Sequence, residues 1–199
     1  MAKMNKTVRT FYKNKQQEAE INYVIDDKSR IRHGACTEWY TNGNLKMEGN
    51  YKDGKLHGAY FEYYPNRQMS LSTNYIEGKQ CGSYERWYGD GAQRYLGAYG
   101  GDDINDEKVG EWKIWYQYKD EERTEAGILH AEGEYESNQE CGEWTYWDQD
   151  GNVISEGHWS DLKYNNEWAY WDDSKLNAIP KPCSWIELQN WKERQKNNM

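Results

Sequence analysis

The chain has 199 residues and a formal net charge of −9, and its apolar content is carried by 11 Trp and 18 Tyr against only 2 Phe. A chain this acidic and this poor in aliphatic side chains has the composition of a disordered segment, but aromatic rings that each bury roughly 150 to 250 Å² supply a core if they sit in register. No apolar run reaches the roughly 18 residues of a membrane span and the opening "MAKMNKTVRTFYKNKQQEAE" lacks a secretory pattern, so the expected location is the cytoplasm.

Residues 1–20 read as a flexible basic segment, and "EINYVIDD" after them as a degenerate half-hairpin that covers an open sheet edge. From there the chain repeats itself. Gly34, Gly58 and Gly82 lie 24 residues apart and open the phrases "GACTEWYTNG", "GAYFEYYPNR" and "GSYERWYGDG", and the series continues at Gly110, Gly142 and Asn166. Each unit runs from an aromatic segment through a turn such as "TNGN" to a second short segment such as "LKMEGNY", then to a second turn such as "KDGK". Short runs separated by Asn-Gly or Asp-Gly are hairpin signals, because glycine accepts the positive φ that tight turns need. The expected fold is all-β: an elongated, single-layer antiparallel β-meander of about six hairpins, with a repeat domain over 21–173 and units starting at 34, 58, 82, 110, 142 and 166. In the terminal segment 174–199, Ser184 as N-cap, Glu187 three residues on, and Trp185, Leu188 and Trp191 on one side predict a short capping helix.

Aligning the units exposes three aromatic columns. The first holds Cys36, Tyr60, Tyr84, Trp112, Trp144 and Trp168; the second Trp39, Tyr63, Trp87, Trp115, Trp147 and Trp171; the third Tyr51, Tyr75, Tyr99, Tyr135 and Trp159. Rings stacked from hairpin to hairpin can shield one another where no second layer exists, with Trp115 expected as a central rung. The first two columns are three residues apart, which puts them on opposite faces of an ideal strand. Either both faces are aromatic or each strand carries a bulge.

"MEGNYKDGKLHG" and, less closely, "STNYIEGKQCG" resemble the core of the MORN repeat, and "G-x-W-x-x-W/Y" followed by "D-G-x-V/L-x-x-E-G" is most similar to the bacterial MORN variant of putative antitoxin and immunity proteins. The resemblance covers roughly residues 34 to 173. It implies a non-enzymatic protein-binding repeat module, an antitoxin or immunity protein that covers a basic toxin, or alternatively a membrane-associated or purely structural scaffold. Departures are Arg67 and Lys175 at the turn glycine, Thr73 at the second-segment glycine and Leu162 at the second turn glycine.

Catalytic and metal-binding signals are missing. Cys36, Cys81, Cys141 and Cys183 form no C-x-x-C, and equivalent positions two units apart lie about 19 Å from each other, too far for a disulfide. His33 and His57 share a column roughly 10 Å apart, beyond the reach of one metal ion. "YGGDDINDEK" lacks the glycine and final glutamate of a calcium loop, and Gly97, Gly100 and Gly101 are followed by no Lys-Ser/Thr. No catalytic residue, metal or cofactor is expected.

Charge is the informative signal that remains. Residues 100–141 carry the whole acidic excess and hold both departures from the 24-residue period, "GGDDINDEKV" and "QYKDEERTEAGI". Insertions in repeat proteins commonly lie on functional surfaces, although polar loops also serve solubility alone. The candidate partner-binding residues are therefore Asp102, Asp103, Asp106, Glu107, Glu121, Glu122 and Glu125, with Trp87 and Trp115 as aromatic anchors. The expected partner is a basic protein; a net negative chain disfavours nucleic acid and anionic membrane.

Overall fold

The computed structural model describes residues 4–25, 29–100, 106–117, 127–160, 163–164 and 169–170. Strands form wherever an aromatic segment meets a turn. The hairpins are β1 (Met4–Phe11) with β2 (Gln17–Ile25), β3 (Arg30–Trp39) with β4 (Leu45–Lys52), β5 (Lys55–Tyr63) with β6 (Met69–Ile76), β7 (Lys79–Trp87) with β8 (Gln93–Tyr99), β9 (Lys108–Trp115) with β10 (Leu129–Glu136), and β11 (Gln139–Trp147) with β12 (Val153–Ser160). Two short strands, β13 (Lys163–Tyr164) and β14 (Ala169–Tyr170), both pair with β12. Every strand from β1 to β13 lies beside its sequence neighbours in one antiparallel sheet, and the described residues include no helix. The expected single-layer meander is therefore what forms; the C-terminal helix over 174–199 lies outside the described residues.

The amino-terminal expectation needs correction. Residues 4–25 form a complete hairpin in register from Met4 opposite Ile25 to Phe11 opposite Gln17, so the boundary at residue 20 falls inside β2 and "EINYVIDD" contributes the second strand of a full unit. Val8 and Ile21 occupy the places that an aromatic and a glycine take elsewhere, which hid the unit in the sequence.

Two kinds of turn drive the meander. Within the described hairpins, the β9–β10 turn aside, the chain turns through a residue at positive φ, such as Gly43 at 82°, and Arg67 takes the same conformation at 75° without a glycine's freedom. Its guanidinium is held by Asn44 Oδ1 at 2.9 Å, which helps fix the turn. Between hairpins, Asp53 and Gly54 at 50° and 86° form the paired positive-φ turn whose twist suits antiparallel strands.

Both alternatives left open by the columns are realised. Each odd strand from β3 to β11 inserts two extra residues beside its repeat glycine, as where Gly49 faces Tyr60 but Tyr51 faces Leu56. From Cys36 to Trp39, however, the β3 register advances residue by residue, and the extra residue there sits on β4. The first and second columns thus point to opposite faces.

One face carries a continuous ladder made of the first and third columns. Tyr84, Tyr99, Trp112, Tyr135 and Trp144 follow one another at centroid distances of 5.2, 5.3, 5.8 and 5.1 Å, all between 74° and 89°, the edge-to-face geometry that ring quadrupoles favour. Trp112 and Trp144 are only 1% exposed. Glycine makes this possible. A Cβ on Gly97 would lie 2.3 Å from the Trp112 ring, and one on Gly133 2.2 Å from the Trp144 ring, so each indole lies directly over a glycine of the neighbouring strand. At the equivalent place Thr73 faces the narrower Tyr60 and Tyr84 and is itself buried, its hydroxyl without a hydrogen-bond partner among the described residues.

A fourth column, which follows the second by one residue, ties the hairpins together at the turn edge. The hydroxyls of Tyr12, Tyr40, Tyr64, Tyr88 and Tyr116 donate to the backbone carbonyls of Trp39, Tyr63, Trp87, Trp115 and Trp147 at 2.7 to 2.9 Å. Each tyrosine therefore reaches one unit ahead.

The ladder passes through Trp112 and not through Trp115, whose ring makes no contact with another ring among the described residues. Trp112→Ala should lose about 3 to 5 kcal/mol in urea denaturation, and Trp115→Ala clearly less. Gly97→Ala should lose about 1 to 3 kcal/mol through forced overlap with Trp112, whereas Gly89→Ala, with open space at its Cβ, should be close to neutral. Equal losses at Gly97 and Gly89 would refute ring-over-glycine packing.

Candidate protein-binding face

Opposite the ladder, the second face is lined by the alternate residues of every strand. Along one of its edges run Trp39, Tyr63, Trp87, Trp115 and Trp147, all half-buried. Their backbones are fixed by the tyrosine hydroxyls beneath, while their rings flank an open sheet surface. Gly127 packs beside Trp115, at 3.4 Å from its Cδ1 for an added Cβ.

Between the strands the repeat glycines leave dents. One, of about 470 Å³, is lined by Glu111, Lys113, Glu132, Gly133, Glu134, Gly142, Glu143, Thr145 and His158, together with Trp112. Another, of about 240 Å³, lies near the other end and is lined by Ala35, Cys36, Thr37, Glu48, Gly49, Asn50, Ala59 and Phe61. Position for position these are the same groove: Glu111 stands where Ala35 does, Glu134 where Asn50 does, and Glu143 where Ala59 does. The scaffold tolerates small neutral side chains at these positions, so the carboxylates are not a requirement of folding.

The acidic groove is only partly neutralised from within. Lys113 pairs with Glu132 at 3.2 Å and His158 lies 3.2 Å from Glu143. Glu111 and Glu134 face each other directly across β9 and β10. Both are exposed and neither side chain has an ion-pair partner among the described residues. Like charges placed directly opposite destabilise a strand pair, and a cation from outside would relieve them.

The sequence-derived site residues divide accordingly. Trp87 and Trp115 lie in the aromatic row of this face. Asp106 is an exposed turn residue at φ 66° whose Oδ1 accepts the Gln80 backbone N–H at 2.8 Å, and Glu107 is half-buried with its carbonyl accepting the Gly100 N–H at 2.9 Å. Those two serve the turn edge. Asp102, Asp103, Glu121, Glu122 and Glu125 lie outside the described residues. Sequence reasoning missed Glu111, Glu132, Glu134 and Glu143, although their alternation with buried positions was a legible signal. No group of three or more His, Cys, Asp or Glu among the described residues could hold a metal ion.

On the ladder face a different pair of charges is half-buried. Lys108 Nζ lies 4.7 Å from the centroids of both Trp112 and Tyr135, and burial holds its pKa below the usual lysine value. Glu140 accepts hydrogen bonds from Tyr135 at 3.3 Å and Tyr146 at 3.2 Å. Burial raises its pKa, against the pull of those hydroxyls and of Lys108.

Comparison with known proteins finds the family described as MORN repeat variant in two segments, residues 32–53 and 140–161. These are the β3–β4 and β11–β12 hairpins. No curated protein matches the chain. Among solved structures, a protein with unknown function from Bacteroides fragilis NCTC 9343 is similar over 93% of this chain and 95% of that one, at 6% identity and a TM-score of 0.18.

A carboxyl whose folded pKa exceeds its unfolded value binds its proton more tightly in the native state, so its contribution to stability is present at low pH and declines as pH rises from the ordinary carboxylate range through the folded value. Glu140→Gln should therefore flatten that decline in urea denaturation across mildly acidic pH. An unchanged slope would show that Glu140 does not titrate there. Two hairpins of the single-layer meander, β3–β4 and β11–β12, are thus the segments similar to the MORN repeat variant.

Proposed function

We propose that this chain is a non-enzymatic protein-binding repeat module that receives a basic protein on its charged face, and that it acts in the cytoplasm as an antitoxin or immunity protein covering a basic toxin. The observation that carries the reading is the paired groove, neutral at Ala35, Asn50 and Ala59 and acidic at Glu111, Glu134 and Glu143. Charge placed where the scaffold does not need it, in a face that also carries half-buried Trp87 and Trp115, supports electrostatic capture followed by aromatic anchoring. The acidic insertions, with Asp102, Asp103, Glu121, Glu122 and Glu125, add to the steering field by sequence position. The alternative is a membrane-associated or purely structural scaffold. An acidic face is repelled by anionic lipid, and no helix among the described residues is long and apolar enough to cross a membrane.

The test begins with capture of a partner on the immobilised chain, alongside the triple variant Glu111→Gln, Glu134→Gln, Glu143→Gln. A basic protein should be retained by the wild type and lost from the variant. With that partner purified, neutralisation should slow association on the order of tenfold at low salt and flatten its salt dependence, while Trp115→Ala should mainly speed dissociation. Co-expression should suppress the partner's toxicity if it is a toxin. An acidic partner, equal capture by the variant, or binding to anionic liposomes in place of protein would each refute the proposal.

A further inference from the structure

Among the described residues, β1 pairs with only one strand, β2. β1 runs eight residues, contains no proline, and is exposed at every position except half-buried Val8. Unpaired backbone groups along such an edge are a template for another strand. Met4 and Phe11, at 65% and 58%, are the most exposed large apolar side chains among the described residues, and both lie on β1. The usual protection is thin: Arg9 is held by Glu20 at 2.7 Å, which leaves Lys6 as the strand's other charge.

We propose that β1 pairs antiparallel with β1 of a second copy of the chain, about a two-fold axis through Val8. The argument is the self-complementarity of the strand. A two-fold perpendicular to the sheet keeps each face on its own side, so only residues of equal parity can stand opposite one another. With Val8 on the axis, Lys6 faces Thr10, Thr7 faces Arg9, and Asn5 faces Phe11, so no charge meets a like charge. The same register continues the apolar row that crosses the sheet through Val8, Ile21 and Cys36 into the second copy. Shifting the axis to Thr7 would set the Lys6 ammonium against Val8 and break that row, and buried apolar rows are what fix strand register. The occupant is therefore a copy of the chain and not a strand of the captured partner.

This inference goes beyond the proposed function and is tested without any partner. Sedimentation velocity of the full chain at tens of micromolar should give the dimer mass. Val8→Lys, which sets two cations against each other, should halve that mass while tryptophan fluorescence and the urea midpoint show the fold retained. Val8→Cys provides a second reading: under mild oxidation it should form an interchain disulfide well above the background of the wild-type cysteines. A wild-type monomer overturns the proposal. So does a dimer that persists in Val8→Lys while the Val8→Cys variant cross-links no more than the wild type, because association would then lie elsewhere. Either result leaves the reading of the charged face intact.

Discussion

An indole ring laid over a glycine of the next strand is the contact on which this structure depends. A one-layer sheet has no opposing layer to bury its apolar surface, so burial must be achieved sideways, by side chains that lie across the strands. Only a wide ring covers enough surface to do so, and only glycine leaves room beneath it, as at Gly97 under Trp112 and Gly133 under Trp144. The spacing of glycines and aromatics along the chain follows from this one geometrical demand. Where the glycine is replaced by Thr73, the rings on either side are tyrosines, and an unpaired buried hydroxyl remains.

Confining burial to one face frees the other. The ladder face and the tyrosine hydroxyls that bridge from each unit to the next hold the hairpins together, and nothing in that arrangement constrains what the opposite face displays. Ala35 and Glu111 occupy one structural position with different chemistry, which is possible because their side chains point away from the ladder. The aromatic packing and the face proposed for recognition thus lie on opposite sides of the same backbone, so a test of binding can substitute the charged face without touching the ladder.

The sequence made the hairpins legible wherever Asn-Gly or Asp-Gly marked a turn and an aromatic stood at constant distance from a glycine. It concealed the β1–β2 hairpin, whose turn uses Lys15 at φ 66° and whose ring-and-glycine pair is Val8 and Ile21. At the end of a ladder, aliphatic side chains suffice because there is no further ring to cover. The faces are not legible either: three-residue spacing leaves open whether a bulge intervenes, so Trp115 is the expected ladder rung where Trp112 fills that place. For the candidate site, the acidic excess over 100–141 is legible, and within it the insertions stand out because they break the period. The strand carboxylates Glu111, Glu132 and Glu134 lie inside that window unnoticed, and Glu143 lies outside it.

Pairing across β1 has a consequence for recognition. A two-fold perpendicular to the sheet at β1 would place one acidic groove, between β9 and β12, on each side of the axis. At about 4.8 Å per strand, each groove stands roughly 45 to 50 Å from the axis and the two are on the order of 90 to 100 Å apart. A small basic protein cannot span that distance, so under the proposed reading each groove would be filled independently and pairing would add no avidity for a soluble monomeric partner. Avidity would arise only for a target that repeats over a comparable distance. In the proposed dimer the second copy would accordingly cover an exposed strand edge, and the proposed recognition of a monomeric partner would rest on the groove of each single chain.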